Sequence, residues 1–474
     1  MAAVILHNTH RNIYRDVILR PDELFCTPEL PPPAKPPSAI ETSRPSAQGL
    51  SPRGYYDIAG FLRTLPAPWR NPSLLMVFYD VHHNSIPVNL AEVKCPKILS
   101  IGDTHHLNVP LQLPIEYARR EPFDLVILEF NRQHLHFFHE AGIRHARWLP
   151  SFAISPFEFD PGTPKKHKLV FLGAFDKHPN RLRILRELAG RGVGFQTGVG
   201  NRKETCKIYS ETRLNLNISL NGDLNQRVLE VLAAGGFLLT DRLHPESGLA
   251  TLFEDKRHLV MFDSTDHLIE MIGYYERHPE EAEAIAACGH AQYMKQHRPE
   301  RKIKSLMHLL KNPDQLEYEP EARSGLPAGG EFADRLALYE VLQEMHRVNV
   351  HTKILFWKGM ERQACDAVDL PRARIWVLRE PGETSPNPLQ MAGLANRVEW
   401  IDPAALDPQK GQWNLLVCRI ADVRDPLFQR CQAVQAADAV LFSDSDSQTP
   451  VPDLGMVQWH TKKFLIPAFK PPSS

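Results

Sequence analysis

Asn225-Gln226-Arg227-Val228-Leu229-Glu230-Val231-Leu232-Ala233-Ala234-Gly235-Gly236-Phe237-Leu238-Leu239-Thr240-Asp241 is the stretch whose reading decides the fold. Polar residues open a short helix, a Gly-Gly turn closes it, and an apolar strand follows at once and ends on an aspartate. That is an αβ unit of a parallel sheet. The N-terminus of such a helix presents unpaired backbone N–H groups that attract phosphate, and a carboxylate on the helix suits sugar hydroxyls. Arg227 and Glu230, three apart, share a helical face, so together they suit the diphosphate and the ribose of a nucleotide. The alternative is a solvated i,i+3 ion pair on an amphipathic helix.

Working outward, short apolar runs alternate with helical patterns on both sides. Ser73–Asp80, Lys97–Asp103 and Phe123–Glu129 read as buried parallel strands of a first Rossmann-like domain. A connector from Leu149-Pro150 to the basic Lys165-Lys166-His167-Lys168 precedes a second series: Leu169–Gly173, Gly192–Thr197, Leu214–Ile218, Phe237–Asp241 and His258–Phe262. Two such domains in tandem imply a cleft between them. Charged, alanine-rich helices follow from Asp266 to about Leu310, and Asn312–Glu331, polar and rich in Pro and Gly, reads as a boundary. A third α/β unit then contributes Arg374–Leu378, Val398–Ile401, Trp413–Cys418, Ala439–Asp444 and Lys463–Ile466.

The expected divisions are an N-terminal segment with a Pro- and Ser-rich flexible loop (1–54), an acceptor-side domain (55–160), a donor-nucleotide domain (161–311), a linker (312–330) and a C-terminal Rossmann-like domain (331–474). Taking the loop after Leu378, Arg379-Glu380-Pro381-Gly382-Glu383, as the first turn of that last domain, the glycines of an intact methyltransferase are missing.

At 474 residues the chain exceeds one ordinary core. A formal net charge of -1 excludes a global field for nucleic acid or an anionic membrane, so any polyanion is held locally. Seven scattered cysteines without a CxxC pair argue against a disulfide framework or a zinc knuckle and for reduced thiols. No window approaches eighteen apolar residues and no leader is evident, so a cytoplasmic protein without a transmembrane segment is expected. The basic run 165–168 reads as a solvated linker, with peripheral membrane contact as the minor alternative.

Residues Phe171-Leu172-Gly173, Arg181, Leu214–Ser219, Arg227–Glu230 and Gly235–Asp241, continued by Leu252–Glu254, Leu259–Phe262, His278–Glu281 and Gly289-His290, resemble the C-terminal half of CgeB-like spore-maturation glycosyltransferases, in the retaining GT-B group. The resemblance spans roughly 90–310 and does not reach the third domain. It implies two Rossmann-like domains facing a cleft and sugar transfer from a nucleoside-diphosphate sugar, without a cofactor or a metal, to a glycan, protein or small acceptor. Glu230 then falls where the family contacts the donor ribose, with Gly235 and Gly236 in the turn behind it. Arg227 and Arg181 fall at the diphosphate, with Gly173 in the loop before it and Lys177 as a weaker candidate there. Many relatives carry an acidic residue eight positions before the ribose glutamate. Here that residue is Gly222, with Asp223 beside it, so either Asp223 substitutes or the carboxylate is absent. A catalytically inactive GT-B-like binding or assembly protein, or an epimerase, are the competing classes.

Two repeats, Asp80-Val81-His82-His83 and Asp103-Thr104-His105-His106, each follow a strand, where open parallel sheets bind ligands. A metal site, an acceptor-positioning base or simple capping all fit. Asp103, His105 and His106 are the better catalytic candidates, because the resemblance reaches them. His134, at helical spacing from Phe137 and Phe138, reads as bordering an aromatic packing face rather than as a ligand.

Overall fold

The computed structural model describes residues 3–7, 23–28, 47–79, 85–105, 109–150, 162–176, 178–198, 202–314, 332–348, 353–371, 373–379, 398–401, 414–419, 425–427, 438–442, 456–459 and 464–467. His82, His83, His106 and Lys177 lie outside the described residues. The chain forms two compact units, 1–320 and 321–474.

Unit 1 carries two parallel sheets and a small parallel pair. The strands of its first sheet are β1 (Ala3–His7), β2 (Glu23–Thr27), β3 (Ala47–Leu50), β5 (Leu74–Tyr79), β7 (Lys97–Ile101), β8 (Leu125–Leu128) and β9 (Ala146–Trp148). The small pair is β4 (Gly54–Asp57) with β6 (Ser85–Val88). The first sheet runs β3-β2-β1-β5-β7-β8-β9, all parallel. β5, β7 and β8 are buried along their whole length, as expected of strands covered on both faces. β1, β2 and β3, from the segment 1–54 expected to stand apart from this domain, form three of the seven strands of its sheet. Each is only four or five residues long, β3 being Ala47-Gln48-Gly49-Leu50, and their pairing is non-local.

The second sheet comprises β10 (His167–Leu172), β11 (Gln196–Gly198), β12 (Thr212–Asn217), β13 (Leu238–Asp241) and β14 (Val260–Phe262), in the parallel order β11-β10-β12-β13-β14. Its core joins Phe171, Leu214, Leu216, Leu239 and Val260 to Leu268, Ile272 and Ile285 from the flanking helices. The basic run 165–168 is not a free linker. His167 and Lys168 begin β10, Lys165 Nζ donates to Ser210 O (2.8 Å), and Lys166 Nζ donates to Glu211 Oε1 (2.6 Å).

The last helix of the unit, Pro299–Lys311, leaves the second sheet and packs on the first. Leu306 and Leu309 share a core with Ile5, Leu74, Met76 and Ile127. Burying each leucine contributes about 1.5–3 kcal/mol, so this helix ties the two halves together.

Where the preceding helix Pro279–Gln296 ends, His297 is 1% exposed, its ring 5.0 Å from that of Phe253, with neither ring nitrogen hydrogen-bonded. Burial, reinforced by Lys302, pulls its pKa from 6.5 to about 2. A folded-state pKa below the unfolded one means the unfolded chain binds the extra proton. Stability is therefore lost as pH falls below about 6.5, by about 2 kcal/mol at pH 5. We expect His297→Leu to shrink by about that amount the stability lost between pH 7 and pH 5, measured by urea unfolding at both values.

Unit 2 contains β15 (Lys353–Phe356), β16 (Arg374–Leu378), β17 (Val398–Ile401), β18 (Leu415–Arg419), β19 (Asp438–Phe442), β20 (Met456–Trp459) and β21 (Phe464–Pro467). The order is β17-β16-β15-β18-β19-β21-β20, parallel throughout except for β21, which runs antiparallel to both neighbours. β15 leads this sheet and sits inside it, between β16 and β18, so the loop after Leu378 is the second turn. The first turn is Trp357–Met360, and it holds one glycine, Gly359, at φ +72°. Lys353-Ile-Leu-Phe356 is a four-residue run too short to have been separated by periodicity from the helix before it.

Candidate functional site

A cavity of about 350 Å³ lies where the two halves of unit 1 meet, lined by His105 and Phe130 from the first half and Leu172, Gly173, Arg181, Thr205, Tyr209, Asp223, Asn225, Gln226, Arg227 and Glu230 from the second. Its floor is the opening turn of the helix Gln226–Ala233. Asn225 occupies the N-cap position with extended backbone (φ -72°, ψ 163°), yet its side chain caps nothing. Its Oδ1 and Nδ2 are both buried without a hydrogen-bond partner, on the cavity wall. A capping residue normally satisfies a backbone N–H of the first turn, so those donors and this amide are left for whatever enters.

Arg227 leans back from this helix toward the end of β10. Its Nη1 donates to Asn217 Oδ1 (2.8 Å), its guanidinium lies 4.6 Å over the Phe171 ring, and its Nε has no partner. A Cβ at Gly173, which has φ +147°, would overlap Arg227 Nη2, so only glycine lets the guanidinium rest on this backbone. Arg181, 8% exposed, enters from the helix Pro179–Gly190 and is anchored by Nε to Ile218 O (2.9 Å) and by Nη1 to Ala174 O (3.1 Å). Burial, and then the neighbouring Arg227, pull its pKa down to about 10, opposed by Asp223 and Asp241. It remains a cation at neutral pH.

The carboxylate left open by Gly222 has a position here. Gly222 takes φ +75°, its carbonyl accepts from Gln133 Nε2 (3.3 Å), and Asp223 is what faces the cavity. Asp223 Oδ1 accepts from Leu220 N (2.6 Å), while Oδ2 lies 3.7 Å from His105 Nε2. His105 Nδ1 lies 2.9 Å from Asn131 Oδ1 and 3.1 Å from Asp103 Oδ1. Both are oxygens able to accept, so the geometry assigns the Nδ1 proton to that pair and turns Nε2 toward Asp223. The His105 carbonyl also accepts from Asn221 Nδ2 across the two halves.

Asp103, Gly235, Gly236 and Asp241 stand behind the wall. Asp103 orients His105. Gly235, at φ +65°, closes the helix carrying Glu230, and Gly236 passes close to Asn215 Nδ2 and Tyr209 O. Asp241, 3% exposed, accepts from Ser219 N (2.8 Å) and from Ser219 Oγ, and so shapes the loop that presents Asp223. His134 is fully buried, 2.7 Å from Thr104 Oγ1 with its ring near Phe137, in keeping with a packing face. Among the described residues no group of three or more His, Cys, Asp or Glu is placed to hold a metal ion. Phe130, Thr205, Tyr209, Asn225 and Gln226 are wall residues that sequence reasoning did not single out. Only Asn225, as an N-cap, had a local signal.

A family model described as glycosyl transferase-like matches residues 175–308, which carry most of this wall. No curated protein sequence matches the chain. Among solved structures, the chain is similar to HepE of Anabaena in complex with UDP, at 10% identity and a TM-score of 0.48 over 66% of this chain and 100% of that one. The same protein with UDP and glucose gives 0.47, again at 10% identity, 66% and 100%. A sucrose-phosphate synthase from Thermosynechococcus elongatus gives 0.45 at 13% identity, over 66% of this chain and 99% of that one. The segment 175–308 is thus glycosyl transferase-like in sequence, set in a mixed α/β fold with parallel sheets.

Proposed function

We propose that unit 1 is a glycosyltransferase core that takes a nucleoside-diphosphate sugar as donor. The observation that carries this reading is the convergence on one cavity of the first turn of Gln226–Ala233, the cations Arg227 and Arg181, and the carboxylate of Glu230. The family match over 175–308 supports it independently. Diphosphate would lie against the helix opening and the two guanidinium groups, and the ribose hydroxyls against Glu230. In an oxocarbenium-like transition state the departing diphosphate gains negative charge, and fixed cations in a largely buried site stabilise that charge without a metal. Asp223 and His105 then sit on the sugar side, His105 oriented by Asp103 and Asn131.

Retention of configuration, the CgeB-like subtype and a cytoplasmic place of action are the finer parts of the proposal. The first two rest on the motif resemblance. The third is supported by the described cysteines, all of them free thiols, and by the absence, among the described residues, of a helix long and apolar enough to cross a membrane. Gly222 favours one competing reading, a binding module without turnover.

Incubation with UDP-, GDP-, ADP- and dTDP-sugars, followed by mass spectrometry, tests the proposal. We expect release of one nucleoside diphosphate, with the sugar passed to an acceptor or to water. Glu230→Gln should raise KM more than it lowers kcat, since ribose binding is shared by ground and transition states. No release from any donor would favour the binding module, and conversion to a second sugar nucleotide would favour an epimerase.

A further inference from the structure

Unit 2 presents a second constellation that the donor reading does not use. In its sheet the strand order reverses at β15, with β16 and β17 on one side and β18 and β19 on the other. Open parallel sheets bind ligands outside the carboxyl ends of their strands at such a reversal. Each of the three strands around this point has a cation at or just past its end: Lys358 two residues after β15, Arg379 immediately after β16, and Arg419 as the last residue of β18. Arg419 Nη2 reaches across to donate to Gly359 O (2.9 Å), within the first turn, where φ +72° keeps the backbone free of a side chain. Asp425 offsets part of this charge, lying 4.0 Å from Lys358.

The flank of the same edge is aromatic. Arg379 lies 4.4 Å over the Trp400 ring, and both Arg379 Nε and Trp400 Nε1 are buried donors without a hydrogen-bond partner. Leaving a buried donor unpaired costs about 1–3 kcal/mol, and here two such donors adjoin one strand end. Three cations, a bare glycine turn and an arginine–indole pair with one unused donor on each match a ligand that carries an anionic group and a flat ring.

We propose that unit 2 binds an anion-bearing nucleoside at the carboxyl ends of β15, β16 and β18. The anion is met by Arg419 and Lys358, and the base lies on the Arg379–Trp400 side. A phosphate and a carboxylate satisfy the same cations, so the shared chemistry is an anionic nucleoside.

The test is calorimetry on the full chain with AMP, S-adenosylhomocysteine and neutral adenosine, for wild type, Glu230→Gln, Arg419→Gln and Lys358→Ala. We expect AMP or S-adenosylhomocysteine to bind wild type and Glu230→Gln equally, and adenosine to bind at least about tenfold more weakly. Arg419→Gln and Lys358→Ala should each weaken that binding by about tenfold or more while leaving thermal stabilisation by the unit 1 nucleotide in place, which also shows that the variants are folded. Binding of AMP alone identifies a phosphate ligand, and binding of S-adenosylhomocysteine alone a carboxylate. No binding of either, binding lost in Glu230→Gln, or binding indifferent to both unit 2 substitutions would overturn the proposal. Because unit 1 is read out by its own nucleotide, failure here leaves the donor reading untouched.

Discussion

Replacing Arg227 with alanine is expected to lower sugar transfer about 10² to 10³-fold, the usual loss when one preorganised partner of a developing charge is removed. The geometry selects this residue over Arg181. Arg181 spends two of its donors on the backbone carbonyls of Ile218 and Ala174, so its loss mixes folding with catalysis. Arg227 bonds to side chains, those of Asn217 and Tyr209, and keeps its Nε unpaired on the cavity wall. The loss should fall on kcat more than on KM, because diphosphate charge grows toward the transition state. Single-turnover rates on wild type and variant check it, with melting temperature as the control. A variant that folds normally and loses less than about threefold would remove Arg227 from the chemistry.

The second large effect concerns the scaffold. Gly289 lies in the helix Pro279–Gln296, and a Cβ there would overlap the backbone carbonyl of His258 and come within 2.8 Å of Leu232 Cδ2. The leucine can turn aside but the carbonyl cannot, so Gly289→Ala must push this helix away from the backbone at His258, just before β14. We expect a loss of about 3 kcal/mol, seen as a melting temperature lower by roughly 5 °C or more. Gly273 provides the contrast. It sits in the helix Thr265–Arg277 with nothing within 4 Å of its would-be Cβ, so Gly273→Ala should stabilise by about 0.5–1 kcal/mol. Equal effects of the two substitutions would show that helix propensity, and not close approach, governs Gly289.

The donor half was largely legible in the sequence because its information is local. The helix opening at Asn225, the Gly235-Gly236 turn and the strand to Asp241 follow one another in the chain. Arg227 and Glu230 needed only helical periodicity to share a face. Arg181, Gly173 and Asp223 came from the family resemblance, and all three line the cavity. What escaped was non-local. β1, β2 and β3 join the first sheet through pairings that no local pattern announces, and β15 hid in four residues before a turn with a single glycine. Asp241 read only as the aspartate that ends the strand, and the structure turns it inward onto Ser219. The orphaned amide of Asn225 and the three cations at one edge of unit 2 emerge only when strands far apart in sequence are placed side by side.

The claim on which the rest depends is that the cavity around the helix Gln226–Ala233 is a nucleotide-sugar donor site. Thermal stabilisation of wild type and Glu230→Gln by UDP, GDP, ADP, TDP and CMP tests it most directly. A ligand at about 100 times its dissociation constant adds about 2.7 kcal/mol, enough for a clear rise in melting temperature. The account predicts that one diphosphate stabilises the wild type and that Glu230→Gln abolishes or sharply reduces the effect. No stabilisation by any nucleotide, or stabilisation undiminished in Glu230→Gln, would contradict it.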